Sequence, residues 1–163
     1  MPKISNKGME LPQSAIRKLV PFADAAKERG IKIYHLNIGQ PDIETPQGAL
    51  QALANTKIKV LEYSHSAGIM SYRKKLCEYY HRHNIEINPN QIIVTTGGSE
   101  ALQMAFTVCL NPGDEIIIPE PYYTNYNTFA KLCDAKIVTI PSDIKTGFAL
   151  PPIEDFASAL VRL

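Results

Sequence analysis

A chain of 163 residues with 17 basic and 16 acidic side chains can bury a core, but its charges are too balanced and dispersed for the basic footprint of a nucleic-acid binder. No stretch approaches the run of about 20 apolar residues that a membrane span requires, and the polar segment Met1 to Gln13 has no apolar centre of a secretory signal. The expectation is a soluble, cytoplasmic protein with a small, weakly charged ligand and with neither nucleic acid nor membrane as partner. Cys77, Cys109 and Cys133 are odd in number, widely spaced and set within apolar helical patterns, which reads as buried, reduced thiols.

In chain order, Leu11 to Arg29 has helical spacing at Ile16, Leu19, Val20, Ala23 and Ala26, and Pro21 is expected to divide it into two short pieces. After Gly30, Ile31 to Ile38 reads as a strand that runs into the turn Gly39-Gln40-Pro41-Asp42. A loop to Pro46 and a helix to about Thr56 follow. Leu61 to Ala67 is irregular. From Gly68, the positions Ile69, Tyr72, Leu76, Tyr79 and Tyr80 form one apolar stripe, with Arg73, Lys74, Lys75 and Glu78 mostly facing water. Beyond the turn Asn88-Pro89-Asn90 lie three short apolar runs, Ile92 to Val94, Ile116 to Ile118 and Ile137 to Ile140. Helical patterns at Ser99 to Leu110 and Thr124 to Cys133 separate them, and another begins at Ile153. Strands without in/out alternation, joined by helical crossovers, make an α/β fold with a mostly parallel sheet covered on both faces.

Ligands of such sheets bind beyond the carboxyl ends of the strands, where the next helix presents its N-terminus. Thr95-Thr96-Gly97-Gly98-Ser99 stands at that place. The glycines admit a ligand close to the backbone, and the first N–H groups of the helix, with the Ser99 hydroxyl, can donate to a phosphate. A tight turn with Ser99 as a simple helix cap fits the same residues. Glu100 is expected to face outward and complement the helix dipole. The lysine of a nucleotide P-loop and the third glycine of a dinucleotide fingerprint are both missing, which disfavours a nucleotide or phosphosugar domain. The next strand ends at Pro121-Tyr122-Tyr123, where an aromatic ring can stack on a planar ligand or simply cover the strand end. A phosphate cradle and an aromatic platform on consecutive strands together suggest a phosphorylated, planar heteroaromatic cofactor. His81 and His83 have poor metal geometry, Ser99 lacks triad partners and Cys77 lacks an activating setting, so no metal site or nucleophile is expected from them.

The strings Leu36-Asn37-Ile38-Gly39-Gln40-Pro41-Asp42, Tyr63-Ser64-His65-Ser66-Ala67-Gly68, Thr96-Gly97-Gly98-Ser99-Glu100-Ala101-Leu102, Asn111-Pro112-Gly113-Asp114-Glu115 and Pro121-Tyr122-Tyr123 occur in this order. From about Ala15 onward the chain resembles the N-terminal portion of class I/II aminotransferases of the aspartate aminotransferase type. The resemblance implies pyridoxal 5'-phosphate as cofactor, with Gly97, Gly98 and Ser99 at its phosphate and Tyr123 stacked on its ring. It implies that Tyr63 reaches the cofactor phosphate of the partner subunit, and hence a homodimer, unless Tyr63 is a packing residue. It places Gly39 beside the α-carboxylate of the substrate, unless Gly39 only makes the turn. Residues 1–45 would be an N-terminal arm and small-domain segment, and 46–163 the first part of an incomplete three-layer αβα large domain.

The resemblance also implies a Schiff-base lysine, a carboxylate at the pyridinium nitrogen and an arginine for the substrate carboxylate, all in a region beyond Leu163. None of the twelve lysines lies in a matching small-residue loop. The expectation is part of an enzyme that moves an amino group between an amino acid and a 2-oxo acid, inactive as the isolated chain. A pyridoxal-phosphate lyase, or a non-catalytic effector-binding module of the same fold, are the alternatives.

Overall fold

The computed structural model describes residues 2–161, which separate into two compact units: 39–101, and 2–38 together with 102–161. In the second of these, α1 (Asn6–Glu10) is capped by the Ser5 hydroxyl, which accepts from the Gly8 N–H at 3.0 Å. A 3₁₀ turn, Arg17–Leu19, leads directly into α2 (Val20–Glu28), and Pro21 sits in the first turn of α2, where its missing N–H has no intrahelical partner to lose. The two expected pieces are therefore present, whereas α1 lies in a segment without helical spacing of apolar residues.

Later in the same unit run β1 (Glu115–Glu120), α6 (Asn125–Leu132), β2 (Lys136–Pro141) and α7 (Ile153–Val161), preceded by α5 (Gly98–Cys109), most of whose length lies here. β1 and β2 pair in parallel through the α6 crossover, with Ile116 opposite Ile137 and Ile118 opposite Thr139. The Asn111-Pro112-Gly113-Asp114 turn aims β1, since the Asp114 carboxylate accepts from the Asn111 N–H at 2.6 Å and its side-chain amide at 3.1 Å. One sheet face meets α5 and α6 in a core of Phe106, Ile118, Phe129 and Ala130, bordered by Ile116 and Ile137. On the other face α7 packs on β2, where Ile140 and Ala159 are buried. Helices on both faces explain why these strands are apolar without alternation.

α1 is tied to the end of α6. Lys7 Nζ lies 2.6 Å from the Asp134 carboxylate and donates to the Leu132 carbonyl at 3.2 Å, and Lys131 Nζ lies 2.6 Å from the Glu10 carboxylate. The Lys131 amine is held above its ordinary range, first by its hydrogen bond with Glu10, then by the charges of Glu10 and, to a smaller extent, Asp134.

The unit Gly39–Ala101 contains α3 (Gln47–Ala54), α4 (Met70–His81) and a 3₁₀ turn, Pro89–Gln91, closed by a capping box between Asn88 and Gln91. Leu61 to Ala67 is irregular, as expected.

Four expectations are corrected. Ile31 to Ile38 and Ile92 to Val94 are not strands; among the described residues the sheet has only β1 and β2. An apolar run favours the extended backbone, but a strand needs a neighbouring ladder, and Val94 makes one isolated backbone bond, to the Ala67 carbonyl at 3.1 Å. Arg73 does not face water, being 4% exposed. The inward side of α4 runs through Arg73, Leu76, Cys77 and Tyr80, while Tyr72 and Tyr79 are about half exposed. The cysteines are free thiols, but none is buried and Cys109 is exposed, because the sheet-facing side of α5 is taken by Leu102 and Phe106.

Candidate cofactor site

The glycine turn lies in the unit Gly39–Ala101. Gly97 has φ +90°, a conformation that costs a residue with a Cβ, so glycine lets the chain reverse here without strain. A Cβ built on Gly97 or Gly98 would meet nothing within 4 Å, so the absence of side chains at both positions leaves open space in front of the helix. α5 begins at Gly98, and its first N–H groups therefore have no intrahelical acceptor. Ser99 lies inside the first turn rather than at the cap position, exposed, with its hydroxyl on the same turn as those donors.

Two side chains shape the turn from within. The Thr95 hydroxyl donates to the Gly97 carbonyl at 2.9 Å, and the Glu100 carboxylate reaches back to accept from the Thr96 N–H. Glu100 thus pins the turn besides standing at the positive end of the helix dipole. Ahead of the turn lies a cleft of about 280 Å³ rich in hydroxyl groups, bordered by Ser64, Ser66, Tyr72, Thr95 and Thr96, with His65 beside them. Open space, a left-handed glycine and the free N–H groups of the first helical turn fit a phosphate group.

Tyr123 belongs to the other unit. It follows the carboxyl end of β1 and is 45% exposed. Its hydroxyl accepts from the Asn125 side-chain amide at 2.7 Å, and its ring meets Tyr126 edge-on at 5.9 Å and 86°. Tyr126 is in turn stacked on Tyr122, whose hydroxyl donates to Asn127 at 3.0 Å. The Tyr123 ring is therefore held at one end and one edge, with surface left open. A cleft of about 560 Å³ past the ends of β1 and β2 is bordered by Glu120, Tyr122, Thr124, Asn127, Ser142 and Phe148. The Thr124 hydroxyl is buried there without a hydrogen-bond partner among the described residues.

Tyr63 is fully exposed, so its ring takes no part in the packing of this chain. Gly39 is exposed, has no positive φ, and a Cβ there would meet nothing within 4 Å. Nothing among the described residues requires glycine at that position. No group of His, Cys, Asp or Glu side chains among the described residues is arranged to hold a metal, and no helix is long and apolar enough to cross a membrane. Arg73 was expected to face water as a charged residue, although its spacing to Leu76, Cys77 and Tyr80 puts it on their helix face.

A short parallel sheet with helices on both faces, and a glycine turn opening a helix after an apolar run, make an α/β fragment, and solved aminotransferases share its fold. The aspartate aminotransferase of Rhizobium meliloti superposes with a TM-score of 0.87 at 30% identity, over 98% of this chain and 40% of that one. An alanine aminotransferase from Pyrococcus furiosus superposes with a TM-score of 0.87 at 31% identity, over 96% of this chain and 40% of that one. The family of class I and II aminotransferases matches residues 31–151, and the chain belongs to it. An aspartate aminotransferase of Pinus pinaster is 33% identical over 96% of this chain and 32% of its own length, and an aspartate/prephenate aminotransferase of Cereibacter sphaeroides 35% over 76% and 31%. The chain thus spans about a third of the length of these curated relatives.

Proposed function

We propose that this chain is the N-terminal part of an aminotransferase that moves an amino group between an amino acid and a 2-oxo acid, using pyridoxal phosphate. The observation that carries the reading is the Gly97–Ser99 turn, with open space where side chains would stand and backbone donors at the start of α5. Gly97, Gly98 and Ser99 bind the cofactor phosphate in this reading, and Tyr123 supports its ring. The cofactor supplies the electron sink that amino-group transfer needs. This chain's part is to orient that group and keep one face of it dry.

Tyr63 belongs to the same reading as a donor to the cofactor phosphate of a second subunit in a homodimer; its complete exposure supports a role outside its own chain. Gly39 leaves room beside the carboxylate of the substrate, supported by the open space around it. Residues 1–45 form an arm and small-domain segment, and 46–163 the beginning of the large domain. A cytoplasmic location accords with three free thiols.

The test is a titration of the chain with pyridoxal phosphate and, separately, with pyridoxal, following backbone amide shifts. The reading expects the phosphorylated compound to bind more tightly and to move the amides of Gly97, Gly98 and Ser99. Equal affinities, or shifts confined to other residues, would overturn it.

A further inference from the structure

We propose that Arg73 is a positioning residue that clamps the Tyr63–Gly68 loop to the segment carrying the glycine turn. Arg73 is the one buried charged side chain among the described residues, 4% exposed, and no ion pair involves it among those residues. Its guanidinium bonds two backbone carbonyls distant from each other in sequence: Nε donates to Gly68 at 3.1 Å and Nη1 to Pro89 at 2.8 Å. Gly68 ends the loop that begins at Tyr63, and Pro89 opens the 3₁₀ turn that feeds Ile92 to Gly98.

A packing core does not need a guanidinium. Burying one costs free energy unless its donors are used, and an apolar side chain of the same volume fills space at lower cost. What arginine adds is a rigid planar fork that can hold two carbonyls at a set separation. The consequence is visible beside it. The Gly68 N–H donates to the His65 carbonyl at 2.7 Å, and the Val94 N–H to the Ala67 carbonyl at 3.1 Å, so the loop lies directly on the segment before the turn. The approach at Gly68 is so close that a Cβ would stand 2.5 Å from Val94 Cγ2. With φ +93° at Gly68, neither the backbone nor the side-chain space has slack. The fork thus sets the register between the loop of Tyr63, which the proposed function assigns to the cofactor of a second subunit, and the segment that leads to Gly97–Ser99, which it assigns to this chain's own; in that respect the inference rests on that reading.

Hydrogen exchange on the 163-residue chain, in wild type, R73K and R73M, separates positioning from general stabilisation. The clamp expects the Val94 amide to exchange at least tenfold faster in both variants, while the Lys136 and Ser142 amides, which bond Asp114 and Glu120 in the other unit, keep their rates. It also expects the preference for pyridoxal phosphate over pyridoxal to fall at least fivefold in R73K. Uniform acceleration at all three amides, or an R73K that matches wild type in exchange and preference, would overturn the proposal, as would an unprotected Val94 in wild type. A wild type that shows no preference between the two compounds sinks the phosphate reading; the exchange rates then still decide whether the clamp exists.

Discussion

At the scale of single residues, conformation and space make separable demands on glycine. Gly68 faces both, so G68A should destabilise its unit by about 2–4 kcal/mol, combining a left-handed backbone cost with an overlap on Val94. Gly97 faces only the backbone demand, and G97A should cost about 1–2 kcal/mol. Urea unfolding of the two variants checks the order; equal losses would mean that Val94 yields without cost. Ser99 is tested differently. A hydrogen bond to a charged group contributes about 1.5–3 kcal/mol, so S99A should weaken pyridoxal phosphate binding roughly 10- to 100-fold and leave pyridoxal binding unchanged. The Thr124 hydroxyl, buried without a partner, should be a liability in the isolated chain. T124V is expected to raise stability by about 1 kcal/mol in the same unfolding assay, and a loss of that size would show that the hydroxyl is satisfied in solution.

Among elements, the docking of α1 on α6 has a definite pH dependence. The Lys131 amine is raised above its ordinary range by Glu10, so its folded value exceeds the unfolded one. Its contribution is therefore fully present below the usual lysine range near 10.4 and is lost as pH rises through the folded value. Cleavage at Lys3 or Lys7 by a protease active in alkali should accelerate over that interval in wild type, and K131M should show the faster cleavage already at neutral pH. The start of α5 depends on the Glu100 bond to the Thr96 N–H. E100A should cost about 1 kcal/mol, while E100Q, which keeps an acceptor oxygen, should retain most of it. These bonds join residues with exposed side chains, so each is modest, and α1 is held by the pair acting together.

For the molecule as a whole, large apolar side chains remain uncovered: Leu36 is 96%, Leu61 93%, Val108 84% and Ile43 82% exposed. Exposed apolar side chains associate where they are contiguous on one unit. The isolated chain is expected to sediment as larger species as its concentration rises and to give no transaminase turnover, measured by 2-oxo acid formation; concentration-independent monomers would show that the apolar residues do not form a joint surface. Most helices, though not α1, were legible in the amino-acid sequence, as were the apolar runs Ile116 to Ile118 and Ile137 to Ile140 at the centres of β1 and β2, and the order of motifs that marks the family. The sequence also marked Gly97 to Ser99, because the need for glycine before a helix is a local property of the backbone. The tertiary structure alone decided that Ile31 to Ile38 and Ile92 to Val94 stay unpaired, and that Arg73 is buried between two turns. Pairing and burial depend on segments far apart in the chain, and no spacing within one segment encodes what folds against it.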